Sequence, residues 1–247
     1  MDINEEKRRI KERIWRLLEE KGVARFPKPI RGRIPNFKGS EVAAYRLVSH
    51  TIFRSANVIF CCPDSPQRPV REHALRTGKV LIMATPRLRE GFLIITRDLV
   101  PRGRELEAST IKGAFKHGRK VDVPDLKVDL KVTGSVAVTE RGARLGKGGG
   151  YSDLEYAILR EVGVIDDSTP LATTVHDLQV IDHIPLTLHD VPVDYIFTPT
   201  RVITVDDPIK EKPKGIILEE LSQSKIKEVP LLQRLLNTRK ADTGILK

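Results

Sequence analysis

The sequence predicts an α/β protein: three layers, α/β/α, around a mainly parallel sheet. Two observations carry this. Short apolar runs of strand length alternate with amphipathic stretches of helix length from about residue 40 to residue 205, and a glycine-rich loop stands between one such strand and one such helix. The length adds a third. At 247 residues with 40% hydrophobic and 31% charged side chains, the chain has material for one large core. We assign residues 1–205 to a single α/β domain and residues 206–247 to a tail that packs on it or on a neighbour. Asp206-Asp207-Pro208 and Lys212-Pro213-Lys214 break regular structure there.

Asn4 is positioned to cap a first helix with Ile10, Ile14, Leu17 and Leu18 on one face and Gly22 just past its end. A proline-studded connector, 26–37, leads to a second helix over 40–51 with Ser40 as its cap. A strand at 57–62, a helix at 69–77 and a strand at 79–85 form a βαβ unit, with Pro69 suited to the helix's first turn. Residues 91–96 read as a strand, 105–116 as a helix and 128–138 as a strand. The glycine-rich loop and a helix to Glu161 follow, with late strands at 171–175 and 195–205. In the tail, 215–221 reads as a strand or extended segment, 229–236 as a short helix, and the chain as frayed after Thr238.

Residues 142–153, Gly-Ala-Arg-Leu-Gly-Lys-Gly-Gly-Gly-Tyr-Ser-Asp, hold the strongest chemical signal. In a strand–loop–helix order, backbone N–H groups and the positive end of a helix dipole meet an anion. Gly146, Gly148, Gly149 and Gly150 permit torsions and close approach that side chains forbid, and Arg144 and Lys147 add full charge. The loop suits a polyphosphate at the carboxyl ends of the strands. It is not a P-loop, since Lys147 is followed by Gly148, nor a dinucleotide fingerprint, since Tyr151 stands where a third glycine belongs. Ser152 and Glu155 also match a capping box, a purely structural alternative for that stretch.

The run Asp129-Leu130-Lys131-Val132-Thr133-Gly134, then Arg144-Leu145-Gly146, Gly148, Gly150-Tyr151 and Asp153, resembles the signature of the 5-formyltetrahydrofolate cyclo-ligase (methenyltetrahydrofolate synthetase) family. His189-Asp190-Val191-Pro192-Val193-Asp194 is similar to that family's late strand, and the likeness spans about residues 5 to 205. Gly22-Val23-Ala24-Arg25-Phe26-Pro27, Gly150-Tyr151-Ser152-Asp153-Leu154-Glu155-Tyr156-Ala157 and Thr198-Pro199-Thr200-Arg201 resemble the branch of methenyltetrahydrofolate synthetase domain-containing proteins.

The resemblance implies a Rossmann-like sheet of the NagB/RpiA/CoA-transferase-like kind and an ATP- and Mg²⁺-dependent ring closure of 5-formyltetrahydrofolate. By the same resemblance, Lys7, Arg144, Gly146, Lys147, Gly148, Gly149, Gly150 and Tyr151 would hold the ATP phosphates, with Lys11 a rival to Lys7. Asp64, Arg87, Tyr151 and Ser152 would face a folate-like substrate, and Asp153 and Asp194 would hold the metal. Three positions depart from the family pattern: Ser152 replaces a tyrosine, Asp64 a glutamate and Thr133 a proline. The phosphate half of the site is therefore better kept than the folate half, which leaves open an ATP-using enzyme or a pterin or nucleotide binder without cyclo-ligase activity.

Composition narrows the remaining classes. The net charge of +10 and pI of about 9.7 admit a nucleic-acid partner. That charge is spread along the chain, aromatics are only 5%, and no RNP-type strand or zinc spacing occurs, so a basic RNA-associated protein is the lesser alternative. Basic surfaces equally suit ATP and polyglutamylated pterins. The apolar runs are too short to span a bilayer, and the N-terminus lacks the apolar core of a signal peptide; the expected location is the cytoplasm. Cys61 and Cys62 are adjacent and read as reduced core thiols. His176-Asp177 and His189-Asp190 are neighbours in strand-like segments, where adjacent side chains point apart, so neither pair forms a dyad and both histidines read as local hydrogen bonders.

Overall fold

The computed structural model describes residues 2–242, and the alternation legible in the sequence becomes an eight-stranded sheet with helices on both faces. The first helix, α1 (Ile3–Glu20), starts two residues before the sequence suggests, with Asp2 and not Asn4 as its cap: the Asp2 carboxylate accepts the Asn4 N–H at 3.1 Å. Next come β1 (Ala24–Arg25) and β2 (Asn36–Phe37), a small antiparallel pair within the connector, then α2 (Ser40–Ser49) and α3 (Thr51–Arg54). Strand β3 (Val58–Cys61), α4 (Arg68–Arg76) and β4 (Val80–Ala84) form the expected βαβ unit, followed by β5 (Phe92–Ile95).

The anticipated helix at 105–116 is two, α5 (Glu105–Ala108) and α6 (Ile111–His117). The Ser109 and Thr110 hydroxyls bond back to the Leu106 and Glu107 carbonyls, and Thr110 Oγ1 caps the next helix through the Gly113 N–H at 3.0 Å. After β6 (Arg119–Val121), the single strand expected at 128–138 also divides. Its first part, β7 (Leu130–Thr133), stays in the sheet; β8 (Ala137–Val138) leaves it and pairs antiparallel with β9 (Arg144–Leu145). Gly134 lies at the division, where a Cβ would come within 3.0 Å of the Ile34 and Asp64 side chains.

Helix α7 (Tyr151–Glu161) and β10 (Leu171–Thr174) come next. The late strand is a hairpin, β11 (Tyr195–Phe197) and β12 (Val202–Thr204), because Pro199 cannot donate to a ladder and Thr198 closes the turn onto Arg201. In the tail no strand forms; α8 (Gln223–Glu228) and α9 (Pro230–Asp242) follow an irregular segment, and residues 243–247 of the tail assignment lie outside the described residues.

Strand order is β12-β11-β10-β7-β3-β4-β5-β6. The pairs from β11 through β4 are parallel, and antiparallel strands close both edges. One face buries Ala44, Leu47, Phe53, Val70 and Ala74 from α2, α3 and α4. The other packs Tyr156, Ile158 and Leu159 of α7 in a cluster that also holds Ile216, Val229, Leu231 and Leu232 from beyond residue 205. Helix α1 serves neither face: Ile10, Ile14, Trp15 and Leu18 bury against the β8–β9 hairpin through Val136, Ala137, Ala143 and Leu145. This third cluster carries the N-terminal helix to the glycine-rich loop.

Candidate functional site

Chain direction places the site. Strands β3, β7 and β10 run parallel, so the segments leaving their carboxyl ends, including residues 62–64 and the loop at 146–150, converge on one edge of the sheet. Helix α7 begins at Tyr151 on Gly150, whose φ of 67° and missing side-chain cap leave its first-turn amides facing the loop. Ser152 is therefore not the helix cap, and no capping box forms; its hydroxyl bonds Thr133 Oγ1 at 2.6 Å. Gly148 has φ 106°, and a Cβ there would stand 2.7 Å from Lys11 Nζ. Only glycine lets this lysine lie on the loop's backbone.

Four of the cations around the loop, Lys7, Lys11, Lys147 and Arg144, are in different states. Lys7 is buried and bonds the Asp190 carboxylate, which also accepts the Thr187 N–H at 2.6 Å. Burial opposes the charge on Asp190, but the bonds from Lys7 and Thr187 outweigh it and hold the carboxyl below its usual range. Lys11, the rival position, is the one beside Gly148; burial and the nearby charge of Lys7 lower its pKa. Lys147 extends from the loop to Asp64, 3.0 Å between Nζ and Oδ1. Arg144 is buried. Its guanidinium donates to Gly134 O at 3.1 Å, Val191 O at 3.4 Å and Asp153 Oδ1 at 2.5 Å. It clamps the loop's two ends from beneath and meets the site through Asp153.

Asp153 in the first turn of α7 also accepts the Val191 N–H at 3.1 Å, which sets it beside the Asp190 segment. All these bonds fall on Oδ1. Asp194 is elsewhere: it precedes β11, at the amino ends of the strands, accepts the Leu171 N–H at 2.7 Å and pairs with Lys212 at 2.6 Å. The structure thus brings Asp153 together with Asp190 and leaves Asp194 apart. Among the described residues no three His, Cys, Asp or Glu side chains are grouped to hold a metal alone. One or two carboxylates beside a glycine-rich loop would suit Mg²⁺ carried on a polyphosphate, which keeps most of its ligands from phosphate and water.

Asp64 follows β3 on a turn fixed by buried Arg71, which donates to the carbonyls of Cys62 at 2.5 Å and Asp64 at 3.0 Å. Arg87 has φ 57° on the turn after β4 and reaches Glu228 at 3.4 Å; Glu228 also bonds the Tyr151 hydroxyl, whose pKa burial and that carboxylate push up to about 12. His176 bonds locally, its Nδ1 accepting the Leu178 N–H at 3.1 Å, whereas His189 reaches across the chain to Glu220 of the tail at 2.6 Å and is not the local hydrogen bonder the sequence suggests. Cys61 and Cys62 are free, buried thiols; burial raises Cys61 to about 11 and Cys62 well above its ordinary value, so neither is a nucleophile.

Beneath the site lies a pair that the sequence does not announce. Lys131 on β7 and Glu155 on α7 are buried with 3.9 Å between Nζ and Oε2, and neither atom has a hydrogen-bond partner among the described residues. Lys131 Nζ also sits 4.0 Å from the centroid of the Phe60 ring. Burial raises Glu155 to about 7 against the pull of Lys131, and burial lowers Lys131. Helical spacing marks Glu155 as a capping partner; its partner across the layer is invisible to any local pattern.

Fold and site together define an α/β protein with a glycine-rich loop and a helix N-terminus at the carboxyl edge of a parallel sheet. The sequence model of the 5-formyltetrahydrofolate cyclo-ligase family matches residues 3–199, and the chain belongs to that family. It is 42% identical over 237 residues to the methenyltetrahydrofolate synthase domain-containing protein of Mus musculus, covering 93% of this chain and 63% of that protein. The chain thus spans less than two thirds of that relative's length. It is 31% identical over 90 residues to the 5-formyltetrahydrofolate cyclo-ligase of Escherichia coli K12, 35% of this chain and 47% of that one. Its fold is similar to the NMR structure of Aquifex aeolicus 5,10-methenyltetrahydrofolate synthetase, with TM-score 0.50 at 20% identity over 86% of this chain and 97% of that one. Among the described residues no helix is long and apolar enough to cross a membrane.

Proposed function

We propose that this chain binds MgATP at residues 146–151 and converts 5-formyltetrahydrofolate to 5,10-methenyltetrahydrofolate, releasing ADP and phosphate. The observation that carries the reading is the cradle itself: Lys11 on the backbone of Gly148, Lys147 on the loop, and the first-turn amides of α7 meeting at one edge. In this reaction the formyl oxygen attacks the γ-phosphorus and ADP departs. The substrate's N10 amine then attacks the activated carbon, loses its proton, and the C–O bond breaks as phosphate leaves. A poor leaving group becomes a good one, so the protein's work is orientation and charge neutralisation. Bound Mg²⁺ would neutralise phosphate charge, and Asp153 and Asp190 are the carboxylates that would hold it. Arg144 holds Asp153, and Lys7 holds Asp190, in fixed geometry.

A second reading has its own support. Ser152 bonds Thr133 where the family signature has an aromatic ring, and Asp64 is paired with Lys147. Both alter the folate half, which favours an ATP-using enzyme with another acceptor. One assay separates the two readings: absorbance of the methenyl product from 5-formyltetrahydrofolate with and without MgATP. Conversion that requires MgATP supports the first; ATP binding without conversion at saturating folate supports the second.

A further inference from the structure

The tail beyond residue 205 enters the glycine-rich site. Leu154 and Ala157 of α7 face Ile216, Ile217 and Leu221 of the tail across a cavity of ≈ 220 Å³, one end of which is formed by Gly148 to Gly150. Sites that take a whole drug-sized ligand run to ~300–1,000 Å³. This slot is smaller, and its lining adds Asp153, His189, Glu220 and Lys225 to those apolar side chains, which leaves room for one ring system while the rest of a ligand lies along the loop. At its polar end Lys225 of α8 donates to Gly149 O at 2.9 Å and stands 3.7 Å from the centroid of the Tyr151 ring.

The segment is held at both ends independently of these contacts. Before the slot, Lys212 pairs with Asp194, and Lys210 donates to the carbonyls of Thr187 at 3.0 Å and Leu188 at 2.7 Å. Within it the Ile216 N–H bonds Glu161 at 3.2 Å, and after it Val229, Leu231 and Leu232 are buried in the sheet's core cluster. A segment pinned in this way is a wall of the site.

We propose that this tail, which follows the 3–199 span of the family match, supplies half of the nucleotide site: the adenine ring enters the slot between α7 and residues 216–221, and Lys225 adds a cation to the phosphates. This rests on the reading of the loop as an ATP site. A ring stacked between aliphatic walls loses water from both faces, and Lys225 exchanges a neutral carbonyl for an anionic oxygen, a stronger charge-assisted bond.

The test is titration calorimetry of the full chain with Mg²⁺, using ATP and inorganic tripolyphosphate, which has the anionic chain but no ring. Ala157→Phe and Ile217→Trp fill the slot from opposite walls, both at half-buried positions. Each is expected to weaken ATP at least tenfold and leave tripolyphosphate within twofold, a result that also shows the variants folded. Lys225→Ala is expected to weaken both ligands by three- to tenfold. ATP binding at wild-type strength in all three variants overturns the tail's role while leaving the loop's intact. Absence of ATP binding to the wild-type chain overturns the ATP reading itself, and the tail's role with it.

Discussion

The two ends of one parallel sheet use aspartates in opposite ways. At the amino ends, Asp129 and Asp194 each immediately precede a strand and accept the first N–H groups of a neighbouring one: Asp129 from Asn57 and Val58 at 2.8 and 2.9 Å, Asp194 from Leu171 at 2.7 Å. These carboxylates complete a ladder. At the carboxyl ends, Asp153 and Asp190 are gripped by Arg144 and Lys7 beside a loop of bare backbone. A parallel sheet presents unpaired strand amides at one edge and helix N-termini at the other, so one residue type completes a ladder at the first and is braced beside a helix N-terminus at the second. Residue type alone does not separate Asp153 from Asp194; position along the strand direction does.

Arg144→Ala tests this contrast most severely. It leaves Asp153 buried without its cation and two carbonyls without donors, and should cost about 3–5 kcal/mol in urea unfolding as well as abolishing ATP binding. Asp194→Ala, at the other end, should cost about 2 kcal/mol for its charge-assisted bonds and leave ATP affinity unchanged in calorimetry. Equal losses of ATP affinity in the two variants would erase the distinction between the ends.

The buried pair is next. Replacing both members, Lys131→Met with Glu155→Leu, should raise stability by about 1–4 kcal/mol, because desolvating both charges exceeds what their attraction returns. The pH dependence follows from the raised Glu155. Its folded state holds a proton more tightly than the unfolded chain, so its contribution is fully present below about pH 4.5 and is lost as pH rises through about 7. Urea midpoints should therefore show the wild-type chain losing ground to Glu155→Gln between pH 5 and pH 8. Parallel curves would disprove that burial controls this carboxyl.

At the loop, Lys11→Ala should weaken ATP about tenfold, ~1.4 kcal/mol, with little change in folding stability, and the remaining affinity should depend less on salt. The smallest effect belongs to Ser152→Ala, about 1 kcal/mol of stability from one lost hydroxyl bond to Thr133, measured by thermal melting.

Much of this was legible in the sequence. Apolar periodicity placed β3, α4, β4, β5, α7 and β10 within a residue or two, since those patterns are local. The glycine-rich loop was legible because Gly146, Gly148, Gly149 and Gly150 form a local pattern directly before a helix. The divisions of 105–116, 128–138 and 195–205 were not. Thr110, Gly134 and Pro199 act there through caps, side-chain crowding and ladder breaks that an apolar count ignores. Asp190 reads in the sequence only as the neighbour of His189, and Lys131, Lys225 and Glu228 carry no local signal.

The sequence by itself determined the layered architecture, the family and the position of the glycine-rich loop, because each rests on neighbours within about twenty residues. Only the tertiary structure decided which charges pair with which. Lys7 meets Asp190 across 183 positions, Lys147 meets Asp64 across 83, and Lys225 meets Gly149 across 76. The free energy of a charge depends on what surrounds it in space, and that is set when distant segments close over one another.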